Sequence, residues 1–205
     1  MPEVSSRSHI PILVMVALLF KPKRVLELGT GLISTPIFID RQIFSEIEEF
    51  TTIENGPEEW FKTCKQAFGE LQPPYTLKYV PGQLMSEIVL GMDLTGYDLI
   101  LIDDSTELHH RAATIKAVFS KVAQNTIVLI HDFERKEYRE CITWDVNGII
   151  FDGVLPHTGL FCTNELNLTI LKRVQVQLSV LWNASHTTAA KWKEIFCNVD
   201  SPLRL

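Results

Sequence analysis

Short apolar runs alternate along the chain with longer stretches whose apolar positions recur every three or four residues. Arg24–Leu28, Phe50–Glu54, Tyr75–Tyr79, Leu99–Asp103 and Thr126–His131 are rich in branched and aromatic residues and predict strands. Between them, Thr35–Ile47, Pro57–Glu70, Leu84–Met92 and Leu108–Ala123 carry the spacing of one apolar helix face. Strands alternating with helices imply parallel pairing through right-handed crossovers, hence a doubly wound α/β sheet. Near the C-terminus the rhythm breaks. Gly148–Val154 and Leu166–Val174 both read as strands, and the 11 residues between them leave no room for a crossover helix. That pair is expected to run antiparallel.

No linker or repeat divides the 205 residues, which predict a single domain. Residues 1–23 form an N-terminal helical segment, 24–174 the core, and 175–205 an extension with a helix expected over Thr187–Cys197. The apolar run "IPILVMVALLF" (Ile10–Phe20) has 11 residues, whereas a bilayer span needs about 20, so a buried helix is expected.

The turn after the first strand, "RVLELGTGLISTP", has the look of a nucleotide-binding turn with one glycine missing. Gly29 and Gly31 bracket Thr30, but Ser34 stands where a dinucleotide fingerprint places a third glycine. Glu27 adds to the contrast. A carboxylate inside an apolar strand costs several kcal/mol if buried unpaired, so it is expected to face a cationic ligand group or paired amides. A pyrophosphate would be repelled there. A glycine-rich turn with no ligand is the alternative.

Composition narrows the partners. Apolar residues make up 46% and charged residues 21%, with a formal net charge of −6. That balance speaks for a globular domain and against a broad grip on nucleic acid or an anionic membrane. Without a signal peptide, a cytoplasmic location is expected, with Cys64, Cys141, Cys162 and Cys197 as reduced thiols. A homodimer through the apolar N-terminal helix is compatible with the sequence.

Glu-x-Gly-x-Gly followed by Ser-Thr resembles the first motif of class I S-adenosylmethionine-dependent methyltransferases. "TTIENGPEEW" is similar to the family's second-strand pattern of an acid, a short turn and Pro-Glu-Trp. The resemblance covers roughly Arg24 to Val174 and points to small O-methyltransferases. It implies a Rossmann-like, mostly parallel sheet of order 3-2-1-4-5-7-6 with an antiparallel seventh strand. It implies S-adenosylmethionine held by Glu27, Gly29, Thr30, Gly31, Ser34, Thr35, Glu54, Asn55 and Asp103. Glu54 would accept the ribose hydroxyls, and Trp60 would lie near the adenine.

The chemistry is expected where strands four and five end. "LIDDSTELHHR" and "LIHDFER" place Asp103 and Asp104 beside His131 and Asp132. Methyl transfer needs an aligned nucleophile and a base, and His131, oriented by Asp132 or Asp103, is the expected base. His109, His110, Arg111 and Arg135 are candidate substrate contacts, or else solvated surface residues. In similar metal-dependent O-methyltransferases an Asp-Asn pair follows the fifth strand. The resemblance therefore implies Mg²⁺ on Asp103 and Asp132, with Phe133 a departure at the Asn position. The expected activity is methylation of a hydroxyl on a small molecule. Acceptor contacts are expected from Met1–Lys23, Asp104–His110 and Pro156–Asn164, with His9 and His157 as polar candidates. A nicotinamide-dependent oxidoreductase and a non-catalytic binding protein are the rival readings.

Overall fold

The structure, a computed structural model, describes residues 8–123, 125–142, 147–152, 156–162, 168–169, 171–173 and 175–176. Among these residues lie strands β1 (Arg24–Leu28), β2 (Glu49–Glu54), β3 (Tyr75–Tyr79), β4 (Leu99–Ile102), β5 (Ile127–His131), β6 (Asn147–Phe151) and β7 (Thr158–Cys162). They form one sheet in the order β3-β2-β1-β4-β5-β7-β6. The first five are parallel, and β7 runs antiparallel to both β5 and β6. Helices α1 (Ile10–Phe20), α2 (Ser34–Ile39), α3 (Glu58–Phe68), α4 (Met85–Leu90), α5 (Leu108–Phe119) and α6 (Lys136–Arg139) connect or flank the strands. No helix among the described residues is long and apolar enough to cross a membrane.

The strand pattern sorts side chains between two cores, because successive residues point to opposite faces. One face packs Val25, Leu99, Leu101, Leu129 and Leu160 against Ile12, Leu13, Met15 and Val16 of α1. The other packs Leu26, Ile100, Ile102, Val128 and Ile130 against α4 and α5. Each such aliphatic side chain contributes about 1.5–3 kcal/mol on burial.

Two sequence expectations are corrected. The predicted helix Thr35–Ile47 stops at Ile39, because the Asp40 carboxylate accepts the Gln42 amide at 2.8 Å and turns the chain. The last strand is Thr158–Cys162, not Leu166–Val174; residues 168–169, 171–173 and 175–176 are helical. Alternation at Leu166, Leu168 and Ile170 imitates a strand, yet buried Leu168 and Leu171 are three apart, the spacing of a helix face. The true β7 escapes notice because Thr158 and Gly159 leave it an apolar run of only Leu160, Phe161 and Cys162. A Cβ at Gly159 would press on the Phe133 ring, so the glycine is required there. The antiparallel expectation itself stands, with the pairing moved onto Thr158–Cys162. The helix expected over Thr187–Cys197 lies outside the described residues.

Candidate active site

Period-two alternation explains why polar groups gather at one edge. On the α1 face, Val25, Phe50, Leu101, Leu129 and Leu160 are core. Continuing along the strands, the same face ends in Glu27, Glu54, Asp103, His131 and Thr158. In a parallel sheet these carboxyl ends of β1, β2, β4 and β5 share one rim, where strand order reverses between β1 and β4.

At the first turn, Gly29 has φ +92, and a Cβ there would overlap the Asp103 carbonyl oxygen and the Asp104 Cα. Glycine is thus imposed by the close approach of the β1 and β4 ends. Ser34 replaces the third glycine for a specific reason. Its Oγ donates to Glu27 Oε1 at 2.5 Å, while Thr35 Oγ1 donates to Oε2 at 2.6 Å. Glu27 is fully buried, and burial raises its carboxyl to about 7 despite these hydroxyls. Its expected partners were a ligand cation or amides; the partners in the structure are the hydroxyls of Ser34, Thr35 and Thr52.

Glu54 ties this turn to the next. Its oxygens accept the amides of Thr30, at 3.1 Å, and Gly56, at 2.6 Å. Burial nonetheless raises its pKa. The Trp60 indole donates to the Thr30 carbonyl at 2.9 Å, fixing the loop from the α3 side. Trp60→Phe removes that bond and should lower stability by about 1 kcal/mol in urea denaturation. An unchanged midpoint would mean that the indole only rests on the surface. Beside Glu54 opens a cavity of about 430 Å³, lined by Asn55, Gly82, Gln83, Met85, Ser105 and His110 among others. Gln83 was missed by sequence reasoning, whereas Ser105 falls in the expected segment Asp104–His110; Gly82 next to Gln83, just after a strand end, was the available signal.

Farther along the rim, Asp103, His131 and Asp132 converge around Arg111 of α5. The guanidinium reaches Asp103 Oδ1 at 2.8 Å and Asp132 Oδ2 at 2.7 Å, and donates to the His131 carbonyl at 3.2 Å. Its side chain is 3% exposed. His131 Nδ1 lies 3.3 Å from Asp103 Oδ1 and 3.5 Å from Asp132 Oδ1. On the far side, His131 Nε2 lies 3.5 Å from Ser8 Oγ, whose own proton goes to the Pro156 carbonyl at 2.6 Å. Both ring nitrogens therefore face acceptors, the pattern of an imidazolium. Burial alone would lower the His131 pKa, but the bond and charge of Asp103, with the charge of Asp132, raise it. Asp103 is held below its ordinary value: burial opposes this, and His131 and Arg111 outweigh it.

The other sequence candidates separate. His109 is exposed, His110 lines the cavity, and Arg135 is exposed at the start of α6. Arg111, expected as a substrate contact or a surface charge, is buried in ion pairs, with three aspartates around its guanidinium. His9 packs edge-on against His131 with ring centroids 4.6 Å apart. Burial, then the His131 charge, pushes its pKa down to about 3. Ser8 had no signal in the sequence.

No protein-family model matches the chain, and no curated protein matches it either. Solved structures do. An assigned O-methyltransferase from Klebsiella pneumoniae is 17% identical over 78% of this chain and 80% of its own, with TM-score 0.54. An assigned caffeoyl-CoA O-methyltransferase from Staphylococcus aureus is 14% identical over 73% and 80%, with TM-score 0.53. A Podospora anserina methyltransferase bound to S-adenosylhomocysteine is 15% identical over 74% and 76%, with TM-score 0.52. All three share the architecture into which the strand order and antiparallel β7 place the chain. The fold is that of class I S-adenosylmethionine-dependent methyltransferases.

Within this methyltransferase fold, Mg²⁺ on Asp103 and Asp132 can be tested against the residues present. Asp103, His131 and Asp132 offer ligand atoms within 4.8 Å of one another. Mg²⁺ demands near-octahedral oxygen ligands. Here one donor is an imidazole, buried Phe133 supplies no oxygen, and a guanidinium already lies between the two carboxylates. The residues do not fit the ion.

Proposed function

We propose that the chain is an S-adenosylmethionine-dependent methyltransferase acting on a hydroxyl of a small molecule. The observation that carries this reading is one juxtaposition at the β1–β4 switch point. A cavity beside Glu54 lies on one side, and the Asp103–His131–Asp132 cluster on the other. The cavity is of the size that takes a drug-sized ligand. Glu54 is anchored by the backbone amides around it, and as a carboxylate at the strand end it is the proposed acceptor of the ribose hydroxyls. S-adenosylhomocysteine in the Podospora structure supports the same choice of cofactor.

The sulfonium is already activated, so the protein has to align an acceptor in line with the methyl group and receive its proton. His131 is the proposed acceptor of that proton. Its raised pKa sets the sign of the pH dependence: imidazolium cannot act as a base, so turnover rises with pH as His131 becomes neutral. Asp103 and Asp132 keep the ring in one orientation.

Thermal unfolding with S-adenosylmethionine, S-adenosylhomocysteine and NAD tests the cofactor. At 100 times the dissociation constant each adenosyl ligand should add about 2.7 kcal/mol, a shift of several degrees, with NAD inert. Glu54→Gln should weaken that shift. Equal stabilisation by NAD, or none by any ligand at millimolar concentration, would overturn the proposal.

A further inference from the structure

We infer that the Arg111 guanidinium takes the place of a divalent cation, so that Asp103, His131 and Asp132 form a metal-independent cluster that rejects Mg²⁺ and Mn²⁺. The inference stands on the ion pairs themselves and not on methyl transfer.

Charge comes first. Two carboxylates brought together at a strand end repel each other unless a cation sits between them. Arg111 meets Asp103 Oδ1 and Asp132 Oδ2 at 2.8 and 2.7 Å, the short distances of charge-assisted bonds. The same carboxylates would be the oxygen ligands of a metal. A dication placed within their reach would also lie within a few ångströms of a buried positive guanidinium. Arginine cannot relieve that repulsion by losing its proton.

Geometry comes second. The guanidinium is anchored on several sides: it donates to the His131 carbonyl, lies 5.8 Å above the Tyr138 ring, and has its Nε 3.9 Å from Asp104 Oδ1. Thr114, one helical turn on, donates to the other Asp104 oxygen at 2.7 Å, fixing that wall of the cage. Swinging Arg111 aside would expose a side chain that is now 3% accessible and leave Asp103 and Asp132 to share His131 Nδ1. Asp132 is part of the same device. It holds φ +57, which a non-glycine residue adopts at a cost, and in that conformation its carboxylate reaches both Arg111 and His131. His131 completes the argument, because the Nδ1 that would ligate a metal points at the carboxylates as a donor.

Arg111 is thus a positioning residue. It substitutes a fixed, non-exchangeable charge for an exchangeable one, and the site should not respond to chelators. The test is Mn²⁺ binding followed by electron paramagnetic resonance, with circular dichroism as the control for folding. The wild-type protein should show no bound Mn²⁺ below about millimolar, whereas Arg111→Gln should bind at least tenfold more tightly. Micromolar binding by the wild type would overturn the inference, and so would a folded Arg111→Gln variant with no gain. Should that variant not fold, wild-type melting in MgCl₂ and MnCl₂ against NaCl of equal ionic strength decides. An unchanged midpoint supports the guanidinium as the resident cation, and a metal-specific rise refutes it.

Discussion

Arg111→Met is expected to lower the unfolding free energy at neutral pH by about 3–5 kcal/mol, the range for breaking one partner out of a buried ion pair. Methionine keeps much of the aliphatic length and fits an apolar wall, so little of the loss comes from packing. What remains is a set of carboxylates that have lost the guanidinium, with His131 Nδ1 still beside Asp103 and Asp132. Asp103 is 27% exposed and Asp132 34%, so water recovers part of the charge and the lower end of the range is expected. Asp104, whose side chain is 1% exposed, has no such relief; burial raises its pKa, and protonation is its way out. The pH dependence gives a sharper check. Asp103 has a depressed pKa in the folded state, so its contribution is present above its unfolded value of 3.8 and is lost as pH falls through the folded one. Once protonated, Asp103 no longer needs Arg111. The gap between wild type and Arg111→Met in urea denaturation should therefore be widest near neutrality and narrow below about pH 4. A gap of the same size at both ends would show that Arg111 acts through packing.

Strands β1, β2, β4 and β5 were legible because they are buried on both faces and are rich in branched and aromatic residues. β3 is the partial exception, being only half-buried at the sheet edge. The meeting of Asp103 with His131 was legible for a related reason, since polar residues ending adjacent parallel strands must share a rim. Arg111 was not legible as an interior cation. In "ELHHR" three basic or titratable side chains follow one another, and nothing local says which faces inward. Helix register does: Arg111 lies on one stripe with Thr114, Ile115 and Val118, all buried. Reading the spacing backwards from Ile115 and Val118 was the available signal. Ser8 could not be found that way, because it precedes α1 and meets His131 only through tertiary packing.

The stability of the wild-type protein should contain a component that falls by about 3 kcal/mol as pH rises from 4.5 to about 7, and Glu27→Gln should remove it. Burial raises the Glu27 carboxyl from 4.5 to about 7 in the folded chain. Across that interval the folded state holds a proton that the unfolded state has lost, so folding is favoured at the acid end. Above the folded pKa a charged Glu27 is kept in the core by Ser34, Thr35 and Thr52 alone. Glutamine neither titrates nor carries that charge, and its amide can accept from one hydroxyl and donate to another. The difference between the two denaturation curves isolates Glu27, because His131, which also loses stabilisation as pH rises through its raised pKa, titrates in both proteins. Glu27→Gln should thus gain on the wild type steadily between about pH 5 and 7 and hold its lead above. Parallel curves across this range would mean that the hydroxyls keep Glu27 ionised throughout. In that case a buried anion waits at the cofactor turn, and the argument for a cationic ligand becomes stronger.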